Sequence, residues 1–228
     1  MENKEEAPLQ IKIFDENKIE GIRETTAPLP TSFIMAIIGK PGSGKSTLCK
    51  NLILQDWGYK EKFNYIFIVS PSAEEFSDLI PKAQLNTQLD VPWLISRINK
   101  INKKHKENNT NVLFIIDDHV STIHSLQNDK QFIKFFFNRR HLLWNGSVSI
   151  IITSQKYSLI PAKFRSNLSW IMFFKLNPLD LKKIYEELVV IDSRNDFNFI
   201  VKKGYKEKYS FISFDIGNQV FHINFNKI

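Results

Sequence analysis

The sequence has almost no cysteine. Cys49 stands alone in 228 residues, so no intramolecular disulfide can form and a reducing compartment is the natural setting. The same scarcity leaves no cysteine to support a zinc site, and His119, His124 and His141 lack the spacing of metal ligands. No stretch approaches the roughly 18 apolar residues that a membrane helix needs, and the charged start, Met1 to Glu6, has no signal-peptide pattern. A soluble, intracellular chain without a membrane span is therefore expected. Internal repeats and low-complexity tracts are also missing. Arginine is rare: 31 basic residues include only six, with 25 lysines. The net charge of +7 and a pI near 9.3 suit an acidic partner, nucleic acid before anionic membrane. A composition rich in Ile, Asn, Lys and Phe also follows from A/T-biased coding, so charge alone decides little. The length suits one sizeable α/β domain with a single core.

Glycine is scarce as well, yet 3 of its 8 occurrences fall between positions 39 and 46. There the chain reads Gly39-Lys40-Pro41-Gly42-Ser43-Gly44-Lys45-Ser46, with Thr47 next, after the apolar run Phe33 to Ile38 and before a helix-compatible segment. The spacing is G-x-x-x-x-G-K-[ST]. Glycines let the backbone curl so that several N–H groups face a phosphate, and the positive end of the following helix adds to them. Lys45 supplies a point charge to the β- and γ-phosphates of ATP, and Ser46 a hydroxyl ligand to Mg²⁺.

Further strands are expected at 65–69, 112–118, 148–155 and 170–174, with helices at 46–57, 93–106, 132–144 and from Pro178 onward, where Asn177 is an N-cap. Leu9 to Ile13 alternates as an edge strand would. The end of the chain reads as three strands, 197–201, 209–216 and 220–225, the last two joined through Gly217-Asn218. These patterns give a mostly parallel sheet of five or more strands flanked by helices, with a C-terminal β appendage. The expected division is an arm at 1–30, a core at 31–192 and the appendage at 193–228.

Two acids close the 112–118 strand. Asp117 is placed to orient Mg²⁺ and Asp118 to activate a hydrolytic water. Gln155, ending the next strand, is placed to touch the γ-phosphate and the attacking water.

Gly39 to Ser46, Ile116-Asp117-Asp118, Asn138-Arg139-Arg140-His141 and Thr153-Ser154-Gln155, with Pro161 and Arg165-Ser166-Asn167 after them, together resemble the poxvirus-type genome-packaging ATPases of the FtsK-HerA superfamily. The likeness covers roughly 30–176. It implies a RecA-like P-loop ATPase core, and a ring of identical subunits, a pentamer or hexamer, with ATP at each interface. It also implies double-stranded DNA and a capsid or portal-vertex protein as partners, and a place in the host cytoplasm or viral factory, with association to the virion. Many relatives in the wider superfamily have Glu where this chain has Asp118. A ring that fires in turn requires an arginine acting in trans; the candidates are Arg140 first, then Arg165 and Arg139. For DNA, the segment His119 to Lys130 is the expected pore loop, with the basic stretch Lys202 to Lys208 as a further contact. Two other readings fit a phosphate loop: an ATP-switched DNA-binding or partition protein, and a helicase-like replication ATPase.

Overall fold

The computed structural model describes residues 27–30, 32–106, 108–190 and 193–227. The expected edge strand at Leu9 to Ile13 falls outside that set, as do residues 191 and 192 just before the expected 192/193 division. Nine strands form one sheet: β1 (Ile34–Ile38), β2 (Tyr65–Val69), β3 (Leu85–Asn86), β4 (Thr110–Ile116), β5 (Gly146–Ser154), β6 (Trp170–Phe173), β7 (Ile212–Asp215), β8 (Val220–Ile223) and β9 (Asn226–Lys227). Their order is β3-β2-β4-β5-β1-β6-β7-β8-β9. Pairing is parallel from β3 to β6 and antiparallel from β6 to β9.

The central strands are continuous apolar runs because both faces are covered. In β1, Ile34, Ala36 and Ile38 enter one core layer, while Met35 and Ile37 enter the other. Helices α2 (Val91–Lys104), α4 (Lys130–Phe137), α6 (Pro178–Leu188) and α7 (Arg194–Gly204) fill the first layer with Leu94, Phe135, Ile184 and Phe197 among others. Helix α1 (Lys45–Leu54) fills the second with Leu48, Cys49, Leu52 and Ile53. Burial, then the charge of Asp117, pushes the Cys49 thiol well above its ordinary pKa, which suits a packing residue better than a reactive one. Two short helices, α3 (Val120–Ser125) and α5 (Ala162–Arg165), lie in connections.

Two expectations change. Residues 197–201 belong to α7, not to a strand: Ser193 caps the helix by accepting from the Asp196 N–H, and Phe197 and Val201, four apart, face the core. The expected helix 132–144 stops at Phe137, and a 3₁₀ turn at Arg139–His141 follows, because the Arg139 side chain is drawn inward to Ser32 and Val148. The expected C-terminal β appendage is present: its strands are antiparallel, β7 and β8 are joined by a turn at 216–219, and β7 pairs with β6 of the main sheet.

Candidate nucleotide-hydrolysis site

All the parallel strands end at the same edge of the sheet, and the predicted loops and acids gather there. The loop leaves β1 at Ile38. Its first amide, Gly39 N–H, donates to the Ser154 carbonyl at the end of β5 (3.0 Å). Gly42 and Gly44 take φ of 73° and 105°, a region that side chains disfavour. At Gly39 crowding is the reason instead, since a Cβ would come 2.3 Å from Ser43 Oγ. Lys45 begins α1, and its ammonium donates to the carbonyls of Gly39 (2.8 Å) and Lys40 (3.3 Å). The loop is thus curled around its own lysine.

In space β5 lies between β1 and β4, so the strand that Gln155 follows separates the loop from the two acids. Asp117 is buried and held at both oxygens: Oδ1 accepts from Thr153 Oγ1 (2.6 Å) and Oδ2 from Ser70 Oγ (2.9 Å). Asp118 is exposed, with φ of 53°. Its N–H donates to the same Thr153 hydroxyl (3.0 Å), and its Oδ1 accepts from Gln155 Nε2 (3.4 Å). Thr153 therefore donates to one acid and accepts from the next. A cavity of about 140 Å³ is lined by Lys45, Ser46, Ser70, Ser72, Glu75, Asp117 and Asp118. Lysine, hydroxyl and both acids face one space, and Gln155 reaches it through Asp118.

The donor set fits Mg²⁺. That ion prefers a few hard oxygen ligands and keeps several waters, and Ser46 and the pinned carboxylate of Asp117 are such ligands. His119 lies beside them, 9% exposed, its Nε2 without a hydrogen-bond partner. Burial pushes this imidazole below its ordinary pKa against a hydrogen bond to the Thr87 backbone.

The three candidate arginines part company. Arg165 is fixed inside its own subunit, in a two-pronged pair with Glu187 (2.8 and 2.6 Å), a bond to the Ile160 carbonyl and a stack over Tyr157. Arg139 is buried and donates to Ser32 Oγ (2.8 Å), Ser32 O (3.2 Å) and Val148 O (3.1 Å). Burial, then the neighbouring Arg140, lowers its pKa to about 10. Within one subunit both guanidinium groups are thus engaged by that subunit's own atoms. Arg140 is exposed. It follows Arg139, which is bonded to Val148 near the start of β5, the end remote from the phosphate loop.

The expected pore loop is largely ordered structure: α3, a 3₁₀ turn at Leu126–Asn128, and Asp129 capping α4 by accepting from the Phe132 N–H. Lys202 and Lys203 lie exposed in the last turn of α7, while Lys206 and Lys208 line a cavity beside the phosphate loop with Lys40 and Lys175. Residues that sequence reasoning missed are Ser70, Thr153, Glu75 and the aromatic group Phe174, Tyr209 and Phe211 beside the loop. A hydroxyl two positions before Gln155, at the end of an apolar strand, was the one signal available for Thr153.

A phosphate loop after one central strand and paired acids two strands away define a P-loop nucleoside triphosphatase fold. The chain belongs to the Poxvirus A32 protein family, whose profile matches residues 26–222. An uncharacterised protein, 015R, of Frog virus 3 (isolate Goorha) is 30% identical over 151 residues, which are 63% of this chain and 44% of that one. The chain thus spans less than half the length of that relative. Among solved structures, the genome packaging NTPase of Sulfolobus turreted icosahedral virus 2, in complex with sulfate, aligns with a TM-score of 0.64 at 18% identity, covering 88% of this chain and 99% of that one. The DNA-packaging ATPase of Sulfolobus turreted icosahedral virus aligns at 0.61 and 20% identity, covering 84% and 96%. At such identities the likeness is one of fold.

Proposed function

We propose that this chain is an ATP-hydrolysing motor that translocates double-stranded DNA and packages a viral genome into a preformed capsid. The observation that carries the reading is the convergence of Lys45, Ser46, Asp117 and Asp118 on one cavity, with Gln155 bonded to Asp118. A protein that only binds nucleotide has no need of the second acid and the glutamine. Family membership supports the viral setting.

In this reading the loop amides and Lys45 hold the triphosphate. Ser46 and Asp117 hold Mg²⁺, which when bound neutralises charge developing on the phosphate oxygens. Asp118 accepts the proton of the attacking water, and Gln155 orients that water while contacting the γ-phosphate. Thr153 fixes both acids at once. The subunits form a pentameric or hexameric ring in the viral factory, and a capsid or portal-vertex protein receives the DNA. In the same reading Arg140, exposed and next to the Arg139 that is bonded near the start of β5, serves a neighbour's site, where a guanidinium stabilises the transferred phosphoryl charge.

The test is ATPase rate with and without duplex DNA for the native chain, Lys45→Ala and Arg140→Ala. DNA should stimulate the native rate, and each variant alone should lose about 10³-fold or more. Mixing the two variants should restore activity, because mixed interfaces pair an intact loop with an intact arginine. Absent recovery on mixing rules out Arg140 in trans, and a rate indifferent to DNA rules out the motor.

A further inference from the structure

Beyond the phosphates, the loop opens into a cavity of about 540 Å³ lined by Gly42, Gly44, Lys45 to Leu48, Asn51, Phe174, Tyr209 and Phe211. That is within the roughly 300–1,000 Å³ typical of small-molecule sites. Its far wall is aromatic and comes from the C-terminal part of the chain. Tyr209 has φ of 65° and is 59% exposed. A left-handed backbone at a bulky residue persists only where its surroundings hold it.

They do so on both sides. Tyr205 donates its hydroxyl to the Phe174 carbonyl (3.0 Å) and accepts from the Leu176 N–H (3.3 Å). Two residues beyond Tyr209, the Phe211 N–H donates to Asn224 Oδ1 (3.1 Å). The tyrosine is the apex of a segment clamped at each end. Its ring edge lies 3.8 Å from the point where Gly44 would carry a Cβ, with the Phe174 ring 3.5 Å from that point. A side chain at Gly44 would fill the space between loop and aromatics.

Apart from Lys45, Ser46 and Thr47 at the start of α1, the polar side chains in the lining are those of Asn51 and Tyr209. The Asn51 amide is already engaged along its helix, donating to the Thr47 carbonyl (2.9 Å) and accepting from Gln55 (3.4 Å). Stacking tolerates any base because every base has a π-face, whereas strong discrimination needs side chains that hydrogen-bond the base edge.

We propose that Tyr209, backed by Phe174 and Phe211, forms a nucleobase-stacking subsite that accepts nucleoside triphosphates with little regard to the base. The inference rests on the phosphate-loop reading, and it makes the C-terminal strands part of the nucleotide site.

The test measures dissociation constants by displacement of a fluorescent nucleotide, using ATP, GTP, CTP, UTP and base-free inorganic tripolyphosphate on the full chain. All four nucleotides should bind the native protein within about tenfold of one another. Tyr209→Ala should weaken each by about tenfold, Tyr209→Phe should recover most of that, and tripolyphosphate should bind both variants as it binds the native chain. Native selectivity for one base above about a hundredfold, or equal nucleotide affinities in Tyr209→Ala and the native protein, overturns the stacking subsite. Loss of tripolyphosphate along with the nucleotides in Tyr209→Ala, or an altered melting temperature in Tyr209→Phe, assigns Tyr209 a structural role and also overturns it. If the native protein binds neither nucleotide nor tripolyphosphate, the phosphate-loop reading fails with it, an outcome separable from the others.

Discussion

Thr153 shows how much of a hydrolytic site depends on a residue that touches no phosphate. Its hydroxyl gives its proton to Asp117 and takes one from the Asp118 amide, so a single side chain sets the spacing of the two acids to which the proposed mechanism gives the metal and the water. Groups that orient ligands in this way typically account for about 10–100-fold in activity. Thr153→Val, which keeps shape and removes the hydroxyl, should lower kcat by about that factor. Affinity for nucleotide measured without magnesium should stay at the native value, and Thr153→Ser should restore kcat. A Thr153→Val enzyme with native kcat would refute the assignment. The loop and the two acids stand out in the sequence because each closes or follows an uninterrupted apolar run, and Gln155 because it comes just after the next strand. Thr153, Ser70 and Tyr209 do not, because their roles exist only once β4, β5, β2 and the C-terminal segment lie side by side. Arg165 looked like a candidate to act in trans for the same reason: its partner, Glu187, is 22 positions away.

At the level of elements, Glu187 joins α6 to α5 through Arg165 and also accepts from the Tyr157 hydroxyl (2.8 Å). Burial alone would raise its pKa, but the hydrogen bonds from Arg165 and Tyr157 outweigh burial and hold it below the ordinary 4.5. A carboxylate depressed in the folded state binds fewer protons there than in the unfolded chain. Its stabilisation is complete above the unfolded value and fades as pH falls through the folded one. The melting temperature of the native protein should therefore exceed that of Glu187→Gln at neutral pH, with the gap closing as pH drops below about 4.5. A gap constant with pH would mean that the clamp acts through shape alone. Elements also show where periodicity misleads. Phe197-Asn198-Phe199-Ile200-Val201 alternates well enough for a strand, yet Phe197 and Val201 also share a helical face, and the Ser193 cap decides between the two. The break after Phe137 was hidden because no proline or glycine marks it; an inward-turning arginine ends the helix instead.

For the molecule as a whole, the sheet runs on from the parallel strands into the C-terminal antiparallel ones. β7 covers the edge of β6 from Trp170 to Phe173, and Ile212, Phe214 and Phe221 join the same core layer as the central strands. Deleting residues 209–228 should uncover that edge, strip Tyr209 and Phe211 from the nucleotide cavity, and leave a chain that aggregates. The checks are soluble yield, a cooperative thermal transition and nucleotide binding. A truncated chain that melts cooperatively and binds ATP with full-length affinity would make the C-terminal strands a true appendage.

β5 spans 9 residues, roughly 30 Å at about 3.3 Å per residue. Its last carbonyl is bonded to the first amide of the phosphate loop, and Gln155 follows directly. Near its other end, Val148 accepts from Arg139, the neighbour of Arg140. With parallel partners fixing its register on both sides, the strand is a stiff rod, and under the roles proposed for Gln155 and Arg140 it joins a reader at one tip to an offered hand at the other. In a closed ring each subunit would hold such a rod between its own phosphate and the next one's, and news of a cleaved bond would have a single straight line of backbone to travel.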